Sequence, residues 1–207
     1  MEDNLMFGEV GIRALTASLS QGSRSPARLG NMGDLIMSQL HGSRYESSYR
    51  ERRFGASNQA AVATTAGLAT TFTGLAVANP AGSGYNLVLD RFSYANTVAV
   101  PTACAIGLMT GAGAAAGSLT VRNKKTGSTT ASIATASAGA TIATPVLEEI
   151  YSTHGTIATT GQGSGAPMIV ELDGGLIIPP GYFVASYTSA ATTAAFIFSL
   201  SWTEVPI

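Results

Sequence analysis

Residues 168–207 read MIVELDGGLIIPPGYFVASYTSAATTAAFIFSLSWTEVPI, and the end of that stretch decides the fold class. Phe196, Phe198, Leu200 and Trp202 fall on one face of an extended chain, with Ile197, Ser199, Ser201 and Thr203 on the other. A period of two is the mark of a strand with one buried face, and no helix produces it. Upstream, Tyr182 to Thr188 reads as a second strand, entered through Pro179-Pro180-Gly181, where proline fixes φ and glycine accepts a tight corner. Met168, Val170 and Leu172 alternate with Ile169 and Glu171, and Asp173-Gly174 supplies a hairpin-type turn.

Strand signals continue upstream as far as Ala56. Gly67 to Val77 is rich in threonine and carries Leu68, Phe72, Leu75 and Val77. Tyr85 to Ala95 contains Leu87-Val88-Leu89, an apolar run that suits a strand covered on both faces. Val100 to Thr110, Ser118 to Asn123 and Ser128 to Thr135 are further predicted strands, the last two separated by a turn at Lys124-Lys125-Thr126-Gly127. Val146 to Thr153 fits a strand or one helical turn, and periodicity does not decide between them. Gly155 to Pro167 reads as a loop. The Ala/Gly/Thr patches, 111–117 and 131–144, allow close backbone approach in a core or between subunits. Eight or nine short strands with Gly and Pro turns predict an all-β, antiparallel sandwich or barrel over 56–207, with the jelly roll as the favoured form.

Residues 1–55 differ in kind. Seven of the eleven basic residues lie before Gly55 (Arg13, Arg24, Arg28, Arg44, Arg50, Arg52 and Arg53), among six acids, and no charge follows Arg53 until Asp90. Short helices are predicted around Leu5, Ile12, Leu15 and Leu19 and around Leu35, Ile36, Met37 and Leu40. Between them 18–33 is rich in Ser, Gly, Arg and Pro and has nothing to bury. An extended, partly helical arm of this composition orders only against a partner, because its own apolar content cannot offset the entropy of fixing it.

Composition excludes several function classes. The net charge of −1 gives no global attraction to nucleic acid or an anionic membrane. In RYESSYRERRF (44–54), arginines interleave with aromatics as in a nucleic-acid grip, but Glu46 and Glu51 oppose it and protein–protein contact is the preferred reading. Residues 56–80 are free of charge, yet Asn58, Gln59 and the threonines break any apolar run long enough for a membrane span. MEDNLMF lacks the basic segment of a secretory signal, so synthesis in a cytosol is expected.

No catalytic or metal signature emerges. Cys104 is the lone cysteine and reads as a small buried apolar residue. His41 and His154, with scattered carboxylates, form no HExxH, CxxC or calcium-loop pattern, so neither metal nor cofactor is expected. NPAGSGYN (79–86) lacks the lysine and hydroxyl of a phosphate loop. GQGSG (161–165) is not a nucleophile elbow, and an Asp173–His154 triad is not singled out by spacing. Glu171 and Asp173 share a face and read as a solvated edge.

The segments MSQLHGSRYESSYRERRFGAS (37–57) and TTFTGLAVANPAGSGYNLVLDRF (70–92), with the ending GGLIIPPGYFVASYT to FSLSWTEVPI, resemble structural proteins of tailed bacteriophages. In particular they are similar to jelly-roll capsid cement, or decoration, proteins. The resemblance implies homotrimers on the virion head, made in the host cytoplasm and without enzymatic activity, whose arms contact the major capsid protein. On that expectation Leu5, Phe7, Ile12, Leu15, Leu35, Leu40, Tyr45, Tyr49 and Phe54 anchor the arm, while Arg44, Arg50, Arg52 and Arg53 pair with capsid carboxylates. The alternative is a fibre or baseplate domain that reads host-surface glycans through body tyrosines such as Tyr85, Tyr94, Tyr151 and Tyr187. A glycoside hydrolase would need a carboxylate pair at a set separation, which spacing in sequence does not define.

Overall fold

The computed structural model describes residues 42, 44–96, 103–113, 117–154 and 167–207. The predicted helices around Leu5 to Leu19 and Leu35 to Leu40, and most of the 155–167 loop, lie outside the described residues. Among the described residues, one short helix, α1 (Tyr45–Tyr49), leads into twelve strands. These are β1 (Arg53–Ser57), β2 (Val62–Thr64), β3 (Thr71–Asn79), β4 (Tyr85–Asn96), β5 (Cys104–Ala112) and β6 (Arg122–Asn123), then β7 (Thr135–Thr141), β8 (Val146–His154), β9 (Met168–Glu171), β10 (Ile177–Ile178), β11 (Tyr182–Thr188) and β12 (Thr192–Pro206).

All pairings are antiparallel and build two sheets. One has five strands in the order β7-β3-β11-β5-β8. The other has seven, ordered β10-β4-β12-β1-β6, with β9 also on β4 and β2 also on β12. β9 and β10 follow one another along the same edge of β4, facing Arg91–Tyr94 and Leu87–Val88 respectively. The Asp173-Gly174 turn between them adopts positive φ at both residues (44° and 83°), and its amides bond back to Asp90 and Leu89.

The core lies between the sheets. Phe54, Leu87, Leu89, Phe92, Phe196, Phe198, Leu200 and Trp202 meet Leu75, Val77, Ile106, Leu108 and Val184 from the five-stranded sheet. Phe196, Phe198, Leu200 and Trp202 are all buried, as their alternation predicts. Phe92 stacks on Phe198 at 6.2 Å and meets Tyr151 of β8 at 6.0 Å, so aromatic contacts link the two layers.

The structure corrects several strand assignments. Leu87-Val88-Leu89 is covered on one face only, since Val88 is half-exposed. The doubly covered strands are β3 and β11. There Leu75, Val77 and Val184 face the main core, while Ala76, Ala78, Phe183 and Ala185 join Phe72, Met109 and Ile142 in a second cluster. Of the predicted strand Ser118 to Asn123, only Arg122–Asn123 pairs as a strand, with an isolated bridge at Leu119. Ser128 to Thr135 gives way to β7, Thr135–Thr141, which lies inside the small-residue patch. Its buried Ala136 and Ser137 put that patch partly in the body's own core. Val146 to Thr153 is strand, and Gly107 in the facing β5 has room for no side chain, because a Cβ would lie 2.0 Å from the Glu149 carbonyl oxygen.

The expected boundary at Gly55 falls inside β1, and the compact unit runs from Arg44 to Ile207. Residues 53–57 pair with Ser199–Thr203, and Phe54 sits opposite Trp202 in the core. The uncharged 56–80 segment supplies the end of β1, all of β2 and most of β3; among the described residues no helix is long and apolar enough to cross a membrane.

Candidate partner-binding surface

A five-residue helix is too short to persist by itself, because nucleation is costly and few hydrogen bonds follow. α1 is held at both ends by arginines. Arg44, at its N-cap, reaches Glu171 at 2.6 Å, Asp173, and the Asp90 carbonyl at 3.2 Å. Glu171 also receives Arg91 at 2.6 Å. The Arg44 hydrogen bond, and after it that of Arg91, holds the Glu171 carboxyl below its usual range. The pair Glu171 and Asp173, expected to be a solvated edge, thus fastens the root of the N-terminal segment.

Beyond α1, Arg53 donates to Asp90 at 2.7 Å, and Thr203 donates to the same carboxylate at 3.2 Å. Both side chains of the ion pair are largely buried, at 15% and 11% exposure. A bulge makes this possible. β12 pairs Ser201 with Arg91 and Trp202 with Leu89, leaving Asp90 as an extra residue. Leu89 and Phe92 both enter the core, so Asp90 and Arg91 emerge consecutively on the outer face.

Glu51 links α1 to the 124–127 turn. Its φ is 61°, and its carboxylate takes Lys125 at 2.8 Å and the Thr130 hydroxyl. These hydrogen bonds, Lys125 first, lower its pKa from the ordinary 4.5 to about 2. A folded pKa below the unfolded one gives a contribution that is complete above about 4.5 and lost as pH falls towards about 2. Acid unfolding of Glu51→Gln is therefore expected to be shallower than that of the parent chain in this window. Melting temperatures of the two proteins measured between about pH 5 and about pH 2 check it: parallel curves would refute the link.

Of the expected anchoring residues, Phe54 is in the core and Arg44 and Arg53 are bonded within the chain, so these three serve the body. Tyr45 and Tyr49 are exposed, their rings stacked at 5.8 Å, with the Lys125 ammonium 5.3 Å from the Tyr49 centroid. Arg50, bonded to Glu46 at 2.5 Å, and Arg52 are exposed beside them. Exposed tyrosines and arginines together are the side chains that carry most binding energy at protein interfaces. Leu5, Phe7, Ile12, Leu15, Leu35 and Leu40 lie outside the described residues.

The remaining reactive groups are unremarkably placed. Cys104 is buried, and burial pushes its thiol up, the opposite of what a nucleophile needs. Tyr94 is 3% exposed with its hydroxyl on Ser152, which removes it from any glycan-reading surface. Among the described residues no three His, Cys, Asp or Glu side chains gather as a metal site. Comparison with family models, with curated proteins and with solved structures finds no match to this chain.

Proposed function

We propose that the chain is a non-enzymatic structural protein of a bacteriophage virion, a jelly-roll cement protein that bridges major capsid subunits as a homotrimer. The observation that carries this reading is the nesting of the strand pairs. Taking β1/β2 and β9/β10 as interrupted single strands and leaving aside the edge strands β6 and β7, first pairs with last: β1 with β12, β3 with β11, β4 with β9/β10 and β5 with β8. Nested pairing divided between two sheets is the arrangement of a jelly roll, a fold used in viral shells. It is also used by lectins, so the pairing supports the fold and leaves function to the N-terminal segment.

Within the body, Arg44 is held against a sheet edge by its bonds to Glu171 and Asp173, and the residues that precede it in sequence carry the remaining expected anchors. A trimer would present three such segments to one shell. Once the first is bound the others act at an effective concentration of about millimolar, which multiplies avidity by about 10² or more. Separating two bridged capsomers then requires breaking these interfaces as well as their own.

Imaging of virions that carry the chain tagged at the exposed Ile207 tests the proposal. A regular array over the head, with a sedimentation mass of about three chains for the purified protein, is the expected result. Label confined to fibres or the tail would overturn it.

A further inference from the structure

We infer that the outer face of the seven-stranded sheet carries a binding site for a phosphate- or sulfate-class oxyanion, between Arg53, Arg91 and Lys124 over a floor of serines. The inference is independent of the capsid reading. Two adjacent rows of the sheet contain only short side chains at their centre. Gly55 pairs with Ser201, which pairs with Arg91; Ser57 pairs with Ser199, which pairs with Ser93. Small residues leave a trough in a surface otherwise covered by side chains. Arg53, Arg91 and Lys124 rise around it, and the groove they share with Ser93, Ser199 and Ser201 encloses about 260 Å³. A water occupies roughly 30 Å³ of liquid, so the groove has room for a tetrahedral oxyanion with several waters.

Two observations point to a ligand. Ser201 is 5% exposed, and its Oγ has no hydrogen-bond partner among the described residues. A buried hydroxyl left unpaired is costly, and an oxyanion at this position would accept a hydrogen bond from it. Lys124 is the second. Arg53 is neutralised by Asp90 and Arg91 by Glu171, but Lys124 has no salt bridge among the described residues. Its ammonium lies over Gly55, where even a Cβ would come within 2.6 Å of it. Lys124 is exposed as a residue, but partial desolvation of its ammonium, and then the neighbouring Arg53 and Arg91, lower its pKa, with Asp90 acting in the opposite sense. Three cations gathered around two bonded carboxylates and one open position are arranged to receive an anion. Lys124 and Ser199 also border a smaller depression that runs on to the exposed Arg122, so a larger molecule bearing the oxyanion could extend that way.

The test is titration of the full-length chain with inorganic phosphate, sulfate and glucose 6-phosphate, followed by amide NMR against chloride at matched ionic strength. Saturable shifts at Gly55, Lys124, Ser199 and Ser201 with a dissociation constant of about 1 mM or tighter are expected. Lys124→Gln should weaken binding about tenfold or more, and Ser201→Ala, which keeps the packing, should weaken it severalfold. Affinity should also fall as pH rises through the lowered Lys124 pKa, before ordinary lysines titrate. Tighter binding of the sugar phosphate than of phosphate would identify an esterified source, and equal binding the free ion. Shifts that chloride reproduces, or that persist unchanged in a folded Lys124→Gln protein, would overturn the site.

Discussion

A chain beginning at Arg44 is expected to fold to the same body as the full protein, whereas a chain beginning at Ala56 is expected to be largely unfolded. The twelve residues between the two starts include α1 and the first three of the five residues of β1. Without them the core loses Phe54, which is 2% exposed against Trp202, and emptying a buried phenylalanine site costs about 3–5 kcal/mol. Asp90 loses Arg53 and becomes a buried, unpaired carboxylate, a change of similar size, about 3–5 kcal/mol. Gly55 and its neighbours also leave one edge of β12 without its hydrogen-bonding partner. These losses share neighbours and do not simply add, yet together they approach the whole stability of a domain, about 5–15 kcal/mol. Circular dichroism and urea unfolding of the two truncated chains will distinguish them. Equal stability would show that β1 is dispensable. Binding of the chain starting at Arg44 to shells also separates the two sets of expected anchors, since it removes Leu5 to Leu40 while keeping the body and the exposed Tyr45, Tyr49, Arg50 and Arg52.

Trp202→Ala is expected to destabilise the protein by about 3–5 kcal/mol, and Trp202→Phe by much less. Trp202 is fully buried and lies opposite Phe54 on β1 and Leu89 on β4, so truncation to alanine opens a void between three strands. Its indole Nε1 has no hydrogen-bond partner among the described residues. Phenylalanine removes that unpaired donor and retains most of the aromatic area, so part of the lost packing is offset. Denaturant midpoints of the two variants are the measurement. A Phe variant as unstable as the Ala variant would show that the indole nitrogen has a partner in solution.

A local pattern with one physical cause is legible in the sequence. Alternation from Phe196 to Trp202 marks a strand with one buried face because no helix repeats every two residues. Turns at Asp173-Gly174 and Gly181 were legible because positive φ favours so few residues. Patterns with two causes do not assign themselves. In 44–54, mixed aromatics and arginines looked like material for a partner, although Phe54 belongs to the core and Arg44 and Arg53 to internal ion pairs. Double coverage is read into Leu87-Val88-Leu89 because Ala76, Ala78 and Ala185 carry less hydrophobic signal, yet those alanines are fully buried while Val88 is half-exposed.

By itself, then, the order of residues determined that the body is β structure, where its main turns fall, and that residues 1–55 differ in composition from those after them. Tertiary structure alone decided which charges meet. Arg44 finds Asp173 across 129 positions of chain, Arg53 finds Asp90 through a bulge, and Lys124 comes to rest over Gly55. The physical reason is that turns and alternation are written in neighbouring residues, whereas an ion pair or an anion groove depends on register between strands distant in sequence. A single extra residue at Asp90 places two successive side chains on one face, and the local alternation of the chain carries no sign of it.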